Sequence, residues 1–145
     1  MRIFEQFSKL ITQAILKKEQ GFFEDAKVDL QTACEKVFGL DFNFLKSQTP
    51  TDLLNLLKIG ETEYEKFLLL AELFKEEGEI LEKQGFESYL SFEKSFYLFV
   101  EGFQTQDSEL KAEFLPKLQS VISKLRKYQL PLQIEQKILL FDSVK

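Results

Sequence analysis

The 145-residue chain is 44% hydrophobic and 30% charged, the balance of one globular domain that can bury a core without a disulfide or metal. A net charge of −5 opposes non-specific adhesion to nucleic acid or to an anionic membrane, since both rest on clustered Lys and Arg. No His is present, which removes the commonest general base, neutral metal ligand and pH switch, and a lone Cys34 excludes an internal disulfide or a thiolate zinc site.

In chain order, residues 3–20 read as a first helix, because Phe4, Phe7, Leu10, Ile11, Ala14 and Ile15 recur at helical steps. Gly21 closes it. Residues 22–38 carry Phe23, Ala26, Leu30, Ala33, Cys34 and Val37 on one face and end at Gly39, so residues 3–38 form a helical hairpin. Asp41 is placed to cap a brief helix through Lys46 that buries Phe42 and either Leu45 or Phe44. Thr49-Pro50-Thr51-Asp52 is a second start signal: a capping hydroxyl, Pro at the first helical position and an acid in the first turn. The two short helices span residues 41–59, and Gly60 ends them.

Residues 61–104 form the central hairpin. Tyr64, Phe67, Leu68, Ala71, Phe74, Gly78 and Leu81 make one stripe, Gly85 breaks it, and Tyr89, Phe92, Phe96, Phe99, Val100 and Phe103 resume it. So short a connection requires the two helices to fold back on each other. Residues 108–143 are the C-terminal helices. Asp107 or Ser108 caps the first, whose stripe runs from Leu110 through Leu125, with Pro116 either kinking it or marking its true start. After Leu130-Pro131, residues Leu132, Ile134, Ile138 and Phe141 set a last helix against the body. No stretch alternates long enough for a strand. The fold class is all-α: antiparallel helical hairpins in one domain, with seven or eight helices, two of them short.

Lys18-Glu19-Gln20-Gly21-Phe22 and Glu82-Lys83-Gln84-Gly85-Phe86 fall at the same place in the two hairpins, at about twice the ~34-residue period of tetratricopeptide repeats. Leu10, Ala14, Gly21, Phe23, Ala26, Leu30 and Ala33 follow that repeat's order of large, small and aromatic positions. Phe74, Gly78, Leu81 and Gly85 follow its first half. The chain therefore resembles tetratricopeptide-repeat proteins, and is similar to small bacterial members with no assigned activity, over roughly half its length. Tyr89, Leu90, Phe96 and Tyr97 depart from the pattern, standing where the second helix should offer Ala. The physical content is close approach, since Ala or Gly lets two helix backbones nearly touch.

The resemblance implies an inner groove lined by the first helix of each hairpin, which selects Ser8, Ile11, Ile15 and Lys18, then Glu72, Lys75, Glu79 and Glu82. Two Ile and three Glu suit an apolar or basic protein segment. Elsewhere the residues read plainly. Glu72, Glu76, Glu77, Glu79 and Glu82 form a solvated acidic face near Lys75 and Lys83, and Lys117, Lys124, Arg126 and Lys127 complement a helix end. Cys34 is a buried structural thiol, and the aromatic stripes are core.

The expectation is a non-catalytic protein-interaction module with no catalytic residue, cofactor or metal, working through the groove or an exposed aromatic patch. It binds a protein or peptide, not nucleic acid or membrane. The alternatives are a homodimer in which sixteen Phe overfill the core and, behind it, a small-molecule carrier. The N-terminus lacks a signal peptide's apolar core, and the longest apolar run, residues 67–71, falls far short of the ~20 residues of a membrane span. The reading is cytoplasmic.

Overall fold

The computed structural model describes residues 2–58 and 64–142, which fold into eight helices with no strand among them. The first hairpin is α1 (Arg2–Glu19) and α2 (Phe23–Phe38), and the central one is α5 (Tyr64–Gln84) and α6 (Tyr89–Gly102). Both turn in the same way. In the first, the Gly21 N–H donates to the Lys18 carbonyl and the Phe22 N–H to the Lys17 carbonyl. In the second, the Gly85 N–H donates to Glu82 and the Phe86 N–H to Leu81. The two bonds consume carbonyls that a helix end leaves orphaned, and they need a left-handed residue, which Gly21 (φ 83°) and Gly85 (φ 79°) supply.

Between the hairpins, Asp41 accepts the Asn43 N–H to cap α3 (Phe42–Lys46), which buries Phe42 and Leu45 and leaves Phe44 exposed. Thr49 accepts the Asp52 N–H to cap α4 (Pro50–Leu57). The expected stop at Gly60 and the start of the central hairpin at Glu61 lie outside the described residues. Asp107 caps α7 (Ser108–Leu125) through the Leu110 N–H, so Pro116 sits inside the helix and does not start it. Its ring lies on the exposed side, while buried Phe114 and Leu118 pin the turns on either side. The helix α8 (Leu132–Asp142) buries Ile134 and Ile138, but Leu132, expected to pack, is exposed.

Stacking places the site. The helix α5 rests against both α1 and α2, and α7 rests in turn against both α5 and α6. Thus α1, α5 and α7 stand side by side as one layer, with α2 and α6 behind them. The core is aromatic: Phe67, Phe74, Phe92, Phe96, Phe99 and Phe114 are fully enclosed. Small residues bring α5 and α6 together, though not at the positions held by Tyr89, Leu90, Phe96 and Tyr97. They are Gly78 on α5 and Ser91, Ser95 and Gly102 on α6, and the Ser95 hydroxyl donates to the Ala71 carbonyl at 2.7 Å. Ala14 is buried on α1.

Cys34 is fully enclosed on α2, and burial, with the charges of Asp41 and Glu35 adding to it, pushes its thiol up to about 12. Because only the thiolate attacks, the folded protein should resist Ellman's reagent at mildly alkaline pH and yield one thiol in urea. Labelling of the native state at the rate of a free thiol would contradict this packing.

Candidate functional site

The layer of α1, α5 and α7 opens into a cleft of about 240 Å³. Helix α1 supplies Ser8, Ile11, Thr12 and Ile15, α5 supplies Glu72, and α7 supplies Glu113 and Lys117 over a floor containing Phe7. Four of the groove residues expected from the sequence, Ser8, Ile11, Ile15 and Glu72, therefore meet at one cleft. Ser8 is exposed, Ile15 half-buried and Ile11 almost fully buried. Thr12, Glu113 and Lys117 were not foreseen. The α7 wall was legible in principle, because Glu113 and Lys117 sit one turn apart on a long amphipathic helix, but Pro116 between them obscured its continuity.

The other four, Lys18, Lys75, Glu79 and Glu82, lie farther along the layer in ion pairs. Lys18 Nζ lies 3.0 Å from Glu76 Oε1 and 2.6 Å from Glu79 Oε1. Lys75 Nζ lies 3.1 Å from Glu76 Oε2 and 2.7 Å from Glu79 Oε2. Each ammonium bridges two carboxylates, and each carboxylate spends both oxygens, so the four side chains close into a neutral square. Glu82 pairs with Lys124 of α7 and stands 3.9 Å from Lys127.

This overturns the solvated acidic face. Glu72, Glu76 and Glu77 are only 5%, 2% and 3% exposed, because helices packed around α5 cover them, while Glu79 and Glu82 stay part-exposed and ion-paired. It also corrects the reading of the basic cluster, as Lys117 reaches Glu72 at 2.8 Å and Lys124 reaches Glu82. These lysines belong to the internal charge balance.

Burial and charge oppose each other throughout. Burial pulls the Lys18 ammonium down, but Glu76 and Glu79 more than offset it, leaving its pKa above the usual lysine value; Lys75 behaves alike. For Glu79, burial pushes up, yet the charge of Lys75 and the hydrogen bonds from Lys18 and Lys75 carry it below the usual carboxylate value. For Glu72, burial wins over Lys117, and its pKa stands above 4.5.

The last shift has a consequence. A carboxyl that holds its proton more tightly when folded stabilises fully below the unfolded value of 4.5, and that contribution is lost as pH rises through the folded value. Lys117 is about one-third exposed and can turn to water. Glu72→Gln is therefore expected to keep neutral-pH stability within about 1 kcal/mol, or raise it, and to remove that acid-side gain in urea titrations. A loss of several kcal/mol at neutral pH would mean that the Glu72–Lys117 pair is net stabilising.

The cleft can seat one apolar side chain against Ile11 and Ile15, with the Ser8 and Thr12 hydroxyls and the Glu72–Lys117 pair at its margins. A second surface lies at the hairpin turns, where Phe22 and Phe86 are both exposed. The Lys27 ammonium stands 6.0 Å from the Phe86 ring and the Gln84 amide donates to Glu24 at 3.4 Å, which sets the two turns side by side. Among the described residues no helix is long and apolar enough to cross a membrane. Comparison of the chain with protein-family models, with curated proteins and with solved structures finds no match.

Proposed function

We propose that the protein is a non-catalytic, cytoplasmic adaptor that holds a protein segment along α1, α5 and α7, with an apolar side chain of that segment in the 240 Å³ cleft. The observation that carries this reading is the convergence of three successively stacked helices on one cleft that mixes Ile, hydroxyl and charged side chains. The likeness to tetratricopeptide repeats supports it, since such repeats present an inner face of this kind to their partners. The square of Lys18, Lys75, Glu76 and Glu79 narrows the partner. Those carboxylates are neutralised from within, so an apolar anchor is favoured over a basic tail.

Ile15 is half-buried at the cleft margin, so Ile15→Asp should fold while placing an unpaired carboxylate against the anchor. With a segment selected from peptide arrays, the expected outcome by fluorescence anisotropy is affinity lower by about tenfold or more. Phe22→Ser, at the hairpin turn and outside the cleft, should leave it unchanged. A second reading, self-association through the exposed Phe22 and Phe86, is favoured by their side-by-side turns. If Ile15→Asp is silent and Phe86→Ser halves the mass in light scattering, the second reading replaces the first.

A further inference from the structure

A different part of the molecule holds an apolar cleft of about 500 Å³, between the end of α6, the outer side of α7 and α8. Helix α7 carries two stripes. Phe114, Leu118, Val121, Ile122 and Leu125 are buried in the body, while Ser108, Lys111, Ala112 and Leu115 face this cleft. Opposite stand Leu140 and Phe141 of α8, with Phe103 between; the Phe103 and Phe141 rings meet edge-on, with centroids 5.9 Å apart and planes at 88°. That contact ties α8 to the residue that follows α6. The volume falls in the ~300–1,000 Å³ range of small-molecule sites.

The lining is one-sided in polarity. Phe103, Ala112, Leu115, Leu140 and Phe141 are apolar, and the polar groups, Ser108 and Lys111, both come from the first turn of α7. Lys111 is half-buried and its ammonium has no ion-pair partner among the described residues, whereas Lys17, Lys18, Lys46, Lys75, Lys117 and Lys124 each pair with a carboxylate. A positive charge at one end of an apolar trough fits an amphiphile with an anionic head and a hydrocarbon body.

We infer that this cleft binds a single-chain amphiphile carrying a carboxylate, its head on Lys111 and Ser108 and its chain between Leu115, Leu140, Phe103 and Phe141. The site is separate from the α1–α5–α7 cleft and does not rest on the adaptor reading.

The probes are octanoate, decanoate and laurate, held below their micellar concentrations, with lauryl alcohol as the uncharged control, titrated calorimetrically into the intact protein. Affinity should tighten about fourfold per added methylene, as expected for burial in an apolar trough. Lys111→Met should weaken laurate about tenfold and leave lauryl alcohol unchanged. Ala112→Trp, at an exposed position that fills the trough, should abolish both at unchanged helicity and melting temperature. Ile15→Asp should alter none of these. Absence of saturable laurate binding, or binding indifferent to both Ala112→Trp and chain length, would overturn the inference and leave the cleft to an apolar side chain of a macromolecule.

Discussion

Replacing Lys18 by Met should lower the unfolding free energy by about 3 kcal/mol, read from urea denaturation at neutral pH. Breaking a buried ion pair by removing one partner costs ~3–5 kcal/mol, because the surviving charge is left in a poorly solvating interior. Lys18 is 5% exposed and holds Glu76 and Glu79 at once. The loss falls at the lower end of that range because Lys75 remains on the second oxygen of each carboxylate. Without Lys18 the square carries one uncompensated negative charge. The double variant Lys18→Met/Glu79→Gln restores neutrality around the surviving Lys75–Glu76 pair. It should therefore cost about 1–2 kcal/mol less than the two single losses added together.

The pH profile checks the same network. Lys18 and Lys75 have folded pKa values above 10.5, so their contribution is complete below 10.5 and disappears as pH rises through the folded values. Glu79 is shifted below 4.5, so its contribution is complete above 4.5 and disappears as pH falls through its folded value. Stability from the square should form a plateau between these limits and fall on both sides, and Lys18→Met should flatten the alkaline fall. A Lys18→Met protein as stable as the parent would show that the square is replaceable by apolar volume, as some buried ion pairs are.

What the sequence tells about this molecule divides along the range of the forces involved. Turns and caps are local. Gly21 and Gly85 need only their own backbone conformation, and Thr49 and Asp107 need only an N–H three residues on, so the turns and the Thr49 cap were readable in place and the α7 cap was narrowed to Asp107 or Ser108. The inward stripes of α5 and α6 were readable too, because period and apolar volume sit in one window. Burial of Glu72 and Glu76 was not. It depends on Lys18, 58 residues before Glu76, and on Lys117 of α7, and charge periodicity within α5 cannot tell a carboxylate facing water from one facing another helix's ammonium. Apolar stripes mislead in the opposite direction. Leu132 was expected to pack and is exposed, since α8 uses Ile134 and Ile138 to pack, and Phe22 and Phe86, which follow the glycines that end their helices, are exposed as well. For the cleft, the α1 half was accessible from the repeat spacing, while the α7 wall was hidden by Pro116, which breaks the apparent run of the helix that carries Glu113 and Lys117.

The close approach of α5 and α6 yields the other large effect. A Cβ on Gly78 would stand 2.8 Å from Cε1 and 2.9 Å from Cζ of Phe92, a ring fully enclosed in the core. Near the other end of the interface, a Cβ on Gly102 would stand 2.6 Å from Leu68 Cγ and 3.3 Å from the Leu68 nitrogen. Backbone and packed ring both resist displacement. Overpacking costs ~1–3 kcal/mol, against which Ala regains at most about 1 kcal/mol of helix propensity over Gly. Gly78→Ala should therefore destabilise by about 1–2 kcal/mol, and Gly78→Val, branched at the clashing atom, by about 3 kcal/mol. Pairing Gly78→Ala with Phe92→Leu should cost less than the two changes added separately, because the smaller side chain yields the contested space. If thermal and urea unfolding of Gly78→Val match the parent, the helices are not held at backbone distance and the account of this interface fails. The effect should also reach the cleft. Helix α7 rests on α5 and α6 together, so prising them apart moves Glu113 and Lys117 away from Ile11 and Ile15. A segment bound there should be released more readily by Gly78→Ala than by Gly21→Ala, which strains a turn remote from the α7 seat.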